Sequence, residues 1–259
     1  MVSKFGTREW AEVNKNLYVG CEHNCRYCYA RYNALIRFKK IRSAEEWKIP
    51  RLIEKALNEK PRLYKGRIMY PTQHDILPDQ IDVHVNYLRK WLEMGNSILI
   101  VSKPHYKCIE RICDELEQYR SQIVFRFTIG SKNDAVLKFW EPGAPSYEER
   151  LSSLIYAFLN GFKTSVSCEP LLDTDSSFVY ELLPYMGDTL WLGKMNFIIP
   201  RVDTKGWTEK DFGYLDEVKQ ACSDEYIKGL YAEFKDVPRI KWKESIKKVI
   251  GLPDEDGVA

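Results

Sequence analysis

Apolar and polar positions run along this chain in two rhythms. Six short blocks are dense in β-branched, aromatic or aliphatic residues and have strand length: 15–20, 68–70, 97–102, 122–129, 164–168 and 189–197. Between them the apolar residues recur at helical spacing. Ile81, Val85, Leu88 and Leu92 make one stripe, Ile109, Ile112, Cys113 and Leu116 another, and Leu151, Leu154, Ile155 and Phe158 a third. Residues 44–59 and 178–186 also read as helical, and a polar, aromatic helix is expected after residue 28. Ser146-Tyr147-Glu148-Glu149 has the spacing of a capping box ahead of the third stripe, and Gly95-Asn96 and Gly161 punctuate the pattern.

Strand and helix in strict alternation predict right-handed crossovers, a parallel sheet and an α/β fold. A closed eight-unit barrel needs two more strand–helix units after Phe197, where the pattern is helical instead (209–222, 224–234 and 245–250). The expectation is therefore a partial (βα)6 TIM-type barrel over 1–200 with a helical C-terminal extension over 201–259, packed on the barrel. The acidic tail Asp254-Glu255-Asp256 is expected to fray.

Composition narrows the class. The chain has 259 residues, is 44% hydrophobic and 29% charged, and carries 14 Gly and 12 Pro, which excludes disordered and collagen-like proteins. With 39 basic and 37 acidic side chains the net charge is +2, so binding to a polyanion would need a local patch. Two patches qualify. Arg26, Arg31, Arg37, Lys39, Lys40 and Arg42 are interleaved with Tyr27, Tyr29, Tyr32 and Phe38; Arg239, Lys241, Lys243, Lys247 and Lys248 surround Trp242. Both suit phosphate and base contacts, but the reading the charge balance favours is a solvated face offset by acid elsewhere. No apolar run approaches the roughly 20 residues that span a bilayer, and the first residues do not resemble a signal peptide. Seven cysteines, three of them bunched, make a poor disulfide framework and a good metal-site pattern. The expectation is a cytoplasmic protein with reduced thiols and no membrane contact.

The bunched cysteines are the most informative feature. In Cys21-Glu22-His23-Asn24-Cys25-Arg26-Tyr27-Cys28, spacings of four and three let one loop present three thiolates to one face of a metal centre. A cubane iron–sulfur cluster held by three thiolates keeps one iron open for a small molecule. A zinc held by the same cysteines and His23, or three buried thiols without metal, are the alternatives at this level.

The run from Asn16 to Ala30, with a tyrosine on each side of Cys28, resembles the radical S-adenosylmethionine superfamily and, within it, the spore photoproduct lyase-like branch. The resemblance continues through Val101-Ser102-Lys103, Arg126-Phe127-Thr128, and Glu141-Pro142-Gly143-Ala144-Pro145-Ser146 followed by Glu149-Arg150-Leu151. It implies a [4Fe–4S] cluster on Cys21, Cys25 and Cys28 at the C-terminal mouth of a partial barrel. It also implies S-adenosylmethionine chelated to the open iron, and an external one-electron donor such as a flavodoxin or ferredoxin. Cleavage of the sulfonium would give a 5′-deoxyadenosyl radical that takes hydrogen from a substrate.

On that resemblance Tyr27 and Tyr29 flank the cofactor, Lys103 holds the methionine carboxylate and Thr72 the methionine amine. Strand parity adds three more. Thr128 shares a face with Arg126, and Glu169 with Ser165 and Ser167, so both point into the barrel; Asn196, like Lys194, could meet adenine. Cys168 has the opposite parity and should face the helices, Cys113 should be core, and Cys108 and Cys222 carry no signal. His74 and Asp75 are the candidates to face substrate. With only four scattered cysteines left, an auxiliary cluster is not expected, nor a cobalamin domain. A nucleic acid or nucleotide is the substrate class implied by the branch. The alternatives are an activase that installs a radical on a partner protein and a zinc-bound nucleic-acid-binding module.

Overall fold

The computed structural model describes residues 6–253; the acidic tail and the first five residues lie outside the described residues. Seven parallel strands form one sheet in the order β1 (Val13–Asn14), β4 (Ile68–Tyr70), β5 (Ile98–Ser102), β6 (Ile123–Thr128), β7 (Lys163–Cys168), β8 (Leu190–Leu192) and β9 (Ile240–Trp242). β2 (Tyr18–Val19) and β3 (Arg51–Leu52) make a separate antiparallel pair. This is the parallel α/β architecture that the alternation predicts, with two differences in its strands.

The first sheet strand is Val13–Asn14, ahead of the apolar block at 15–20. That block instead carries β2 into the cysteine loop. Its partner β3 interrupts the stretch 44–59, which is not one helix: Pro50 has no amide hydrogen to continue the helix Ala44–Trp47, and the chain resumes as Glu54–Leu57 only after β3. The second difference lies after residue 200. The helices Glu209–Ala221, Asp224–Phe234 and Glu244–Ile250 are present, and between the last two Ile240–Trp242 adds a seventh strand beside β8. β8 itself is shorter than the block 189–197. A side chain at Gly193 would come within 2.8 Å of Glu169 Cγ and 2.9 Å of Lys243 Cγ, and the chain leaves the sheet there.

The register sorts the two faces of the sheet. Met69, Leu99 and Val124 align, as do Val101, Arg126 and Ser165, and then Thr128, Ser167 and Trp191. These residues point inward, where Trp10 packs on Trp191 at 5.8 Å and under the Arg126 guanidinium at 4.5 Å. The opposite parity (Ile100, Phe125, Phe127, Val166, Cys168 and Leu192) packs against the helices in the main hydrophobic core. The helices Ile81–Leu92, Tyr106–Glu115 and Tyr147–Leu159 supply the other side of that core, as their apolar stripes require. The two sheet edges are bridged by side chains: Lys243, just past β9, pairs with Glu9 ahead of β1. Among the described residues no helix is long and apolar enough to cross a membrane.

The core also holds an aromatic cluster of His74, His84, Tyr18 and Tyr70, with ring centroids 5.4–5.9 Å apart. Burial lowers His74 to about 4 and His84 to about 3, so both are neutral in the folded protein. Unfolding frees both rings to bind a proton below about pH 6.5. The unfolded chain therefore takes up more protons than the folded one as pH falls from there toward 4, and stability is lost across that window, by about 1.4 kcal/mol per pH unit for each ring. The melting temperature should fall by several degrees between about pH 6.5 and pH 4.5; a flat profile would contradict burial of this pair as neutral rings.

Candidate active site

The cysteine loop leaves β2 through Gly20, whose φ of +105° is open to glycine; a side chain there would lie 2.8 Å from the carbonyl oxygens of Trp47 and Ile49. The Cys21 amide then donates to the Trp47 carbonyl at 2.8 Å. Asn24, at φ 46°, turns the chain between the first two cysteines, and the Cys28 amide closes a second turn onto the Cys25 carbonyl at 3.2 Å. Cys28 ends the loop as N-cap of the helix Tyr29–Tyr32, its sulfur accepting from the Arg31 amide.

The far side of the loop is clamped to the segment 139–143. The Arg26 amide donates to the Trp140 carbonyl at 2.8 Å, its Nε to the Phe139 carbonyl at 2.7 Å, and the Gly143 amide to the His23 carbonyl at 3.0 Å. A Cβ at Gly143 would stand 2.2 Å from the Glu22 carbonyl oxygen, so only glycine permits this approach.

Behind the loop sits a buried charged network. Glu141 accepts from the Tyr27 hydroxyl, lies 2.6 Å from Arg150 Nη2 and 3.8 Å from Lys103 Nζ. Arg150, fully buried, also donates to the carbonyls of Pro145 and, at the end of β6, Thr128. The two cations, Arg150 before Lys103, hold the Glu141 carboxyl below its ordinary range despite its burial. Burial would depress Lys103, but Cys25, Tyr27, Glu141 and Asp75 around it keep it well above its ordinary value.

The three thiols are close enough to act on one another. Burial, then Asp75 and the neighbouring Cys25 and Cys28, push Cys21 well up; burial pushes Cys25 to about 12, partly offset by Lys103. Burial raises the core thiols of Cys108, Cys113 and Cys168 in the same way, so these shifts mark burial, and the loop thiols would act as ligands where a cationic centre takes the place of their protons. Among the described residues no group of three or more His, Cys, Asp or Glu side chains is arranged to hold a metal ion by itself. Both ring nitrogens of His23 meet other side chains: its Nδ1 lies 3.2 Å from Asp75 Oδ2 and its Nε2 3.0 Å from His105 Nε2. That removes the fourth ligand of the zinc alternative. In number and kind, three thiols on one loop match the donors that a three-thiolate cubane uses.

Two expected substrate-facing residues serve the scaffold instead. His74 is buried with both ring nitrogens engaged, Nε2 accepting from the Leu17 amide and Nδ1 beside the Asp75 carbonyl. Asp75 is buried too, and accepts from the Ser102 hydroxyl and from the amides of Ile76 and Lys103. It thereby fixes the end of β5 that carries Lys103. Thr72 is tied to Asn16, whose amide nitrogen donates to its hydroxyl at 2.8 Å, and its carbonyl accepts from the Tyr29 hydroxyl.

Two of the remaining candidates, Thr128 and Glu169, lie at the C-terminal ends of β6 and β7. Thr128 and Ser167 are register partners, and Glu169 follows on the same face, 3.5 Å from Lys243. Burial raises the Glu169 carboxyl, against the pull of Lys243. Asn196 is exposed in the loop beyond β8 rather than on a strand, its carbonyl accepting from Arg201. Cys108, Cys113 and Cys168 are core residues, and Cys222 lies with its sulfur 4.0 Å from the Met195 carbonyl.

The hub residues Glu141 and Arg150 carry no sequence-level role beyond a matching segment. Their signal was available on the helix: Arg150 shares a face with Ser153, Leu154 and Ala157, all buried, and a cation there needs a buried anion. Glu141→Gln, which leaves Arg150 uncompensated in the interior, should lower stability by about 3 kcal/mol in urea denaturation; a change under about 0.5 kcal/mol would contradict the pairing.

A family model described as Radical SAM superfamily matches residues 15–176. A protein of Acidianus two-tailed virus named Uncharacterized protein ORF301 is 28% identical over 167 residues, which cover 60% of this chain and 54% of that protein. The chain thus spans about half the length of this curated relative. Among solved structures, spore photoproduct lyase complexed with dinucleoside spore photoproduct superposes with a TM-score of 0.55 at 16% identity, over 93% of this chain and 79% of that one. A mutant of spore photoproduct lyase with bound AdoMet and the dinucleoside gives 0.53 at 16% identity, with the same shares. The fold is shared with these proteins, and the family match runs from just ahead of the cysteine loop to beyond β7, more than half of the sequence: the chain belongs to the radical SAM superfamily.

Proposed function

We propose that this protein is a radical S-adenosylmethionine enzyme, with Cys21, Cys25 and Cys28 as the ligands of a [4Fe–4S] cluster and a nucleotide-containing molecule as substrate. What supports the reading is a loop that carries three cysteines, is clamped by main-chain hydrogen bonds to Trp47 and to the segment 139–143, and lies inside the match to the radical SAM family over residues 15–176. The bound cluster and S-adenosylmethionine together supply one-electron cleavage of a sulfonium and a 5′-deoxyadenosyl radical.

The chain's own residues hold, orient and shield. Lys103, charged and half-buried beside Cys25 and Tyr27, offers a cation to a carboxylate at the loop. Tyr29 covers the loop at Cys28, while Thr128, Glu169 and Asn196 stand round the mouth as polar contacts for a ribose or adenine. Thr72 has its carbonyl and hydroxyl already engaged, so an amine would have to share them. Tyr27 is spent on Glu141 and acts by positioning the loop and excluding water. The substrate class follows the dinucleoside bound by the spore photoproduct lyase structures and the basic, aromatic surface beside the loop. The electron would come from an external donor of the flavodoxin or ferredoxin kind.

Anaerobic reconstitution should load about four irons per chain. Cys28→Ala should lose the iron, and Cys113→Ala, a core substitution, should keep it. A colourless protein with one tightly bound zinc, or equal iron in both variants, would overturn the assignment.

A further inference from the structure

The fold uses the two basic groups of the sequence differently. In the C-terminal group Lys243 and Lys247 are buried, Lys243 is shared by Glu9 and Glu169, and Lys248 pairs with Glu244 at 2.5 Å. In the first group Arg26 and Arg31 are consumed in bracing the cysteine loop. Arg37, Lys39 and Lys40 remain exposed, and none of them forms an ion pair among the described residues. Between them Ile36 and Phe38 are 54% and 62% exposed.

A second exposed segment meets this one across Tyr29. Phe197 and Ile199 are 70% and 93% exposed, and the Arg201 guanidinium lies 5.0 Å from the Phe197 ring and 6.0 Å from the Tyr29 ring. Tyr29, Phe38 and Lys40 line one small cavity of about 20 Å³, and Lys40 Nζ is 5.6 Å from the Phe38 ring. Lys40, Phe38, Tyr29, Arg201 and Phe197 therefore form a row of two cations and three aromatic rings beside Cys28. Each turn that projects an exposed ring holds a non-glycine residue in the left-handed region, Lys39 at φ 50° and Phe197 at φ 56°.

We propose that this row is a binding rim for single-stranded nucleic acid, with bases stacked on Phe38 and Phe197 and phosphates held by Arg37, Lys39, Lys40 and Arg201. It rests on the radical-enzyme reading for what the strand is delivered to, the mouth beside Cys28. A duplex hides its base faces, whereas unpaired bases offer a π-face to each exposed ring. Four cations at a chain net charge of +2 mean few phosphates and a modest dependence on salt.

The test is fluorescence anisotropy of the iron-reconstituted full chain with a labelled oligothymidylate of about 12 nucleotides, its duplex, and phosphatidylglycerol vesicles. The single strand should bind about tenfold or more tighter than the duplex. Phe38→Ala and Phe197→Ala, both at exposed positions, should each weaken it by about 5- to 100-fold with iron content unchanged. The pair K40Q and R37Q should flatten the salt slope by about one to two. Equal binding of duplex, aromatic variants that bind like the parent, or binding to vesicles without binding to the strand would each overturn the rim. Iron content on the same samples keeps the two claims apart: a protein without iron that binds the strand through Phe197 loses the radical reading and keeps the rim.

Discussion

The buried ion pair between Glu141 and Arg150 is the constraint on which the site depends. Both side chains are removed from water, and a buried pair of this kind adds little stability over a well-packed apolar pair. What it adds is placement. Glu141 can be satisfied only where the Arg150 fork, the Tyr27 hydroxyl and the Lys103 ammonium converge, and each of these comes from a different part of the chain. Arg150 belongs to the helix Tyr147–Leu159, Lys103 to the end of β5, and Tyr27 to the cysteine loop. The carbonyl of Thr128, which Arg150 also reaches, adds the end of β6. One carboxylate thus sets the height and tilt of the loop above the strands.

The parallel sheet makes that placement useful. All seven strands point the same way, so their C-terminal ends and the polar groups they carry open onto one side. Strand parity sends Phe125, Phe127 and Val166 into the helical layer and leaves Arg126, Thr128, Ser167 and Glu169 facing inward. Trp10 and Trp191 fill the interior below them, and the Glu9–Lys243 pair joins the sheet edges. The mouth carries polar groups above an interior filled by Trp10, Trp191 and the Arg126 guanidinium, with the cysteine loop beside it.

Much of this was legible in the sequence where the cause is local. The stripes at 81–92, 109–116 and 151–158 could only bury themselves as helices, and the spacing of the cysteines carried the site. Long-range causes left weaker traces. β1, at two residues, is too short for a periodicity, and β9 sits in a basic stretch where Ile240 and Trp242 alone mark the buried face. Pro50 was the available sign that 44–59 could not be one helix. Polar residues after a strand, such as His74 and Asp75, are expected at a mouth; in the fold both are buried, with backbone amides and Ser102 as partners, and Asp75 also lies against His23. Glu141 was invisible as a hub because its three partners lie far apart in sequence or on a helix face read as apolar.

The most direct test of the account is the fate of S-adenosylmethionine on the reconstituted protein under dithionite, followed by chromatography of the nucleoside products. Three thiols on one loop, with Lys103 beside Cys25, predict release of 5′-deoxyadenosine, abolished in Cys25→Ala. Intact S-adenosylmethionine after incubation with a fully loaded protein would contradict the account.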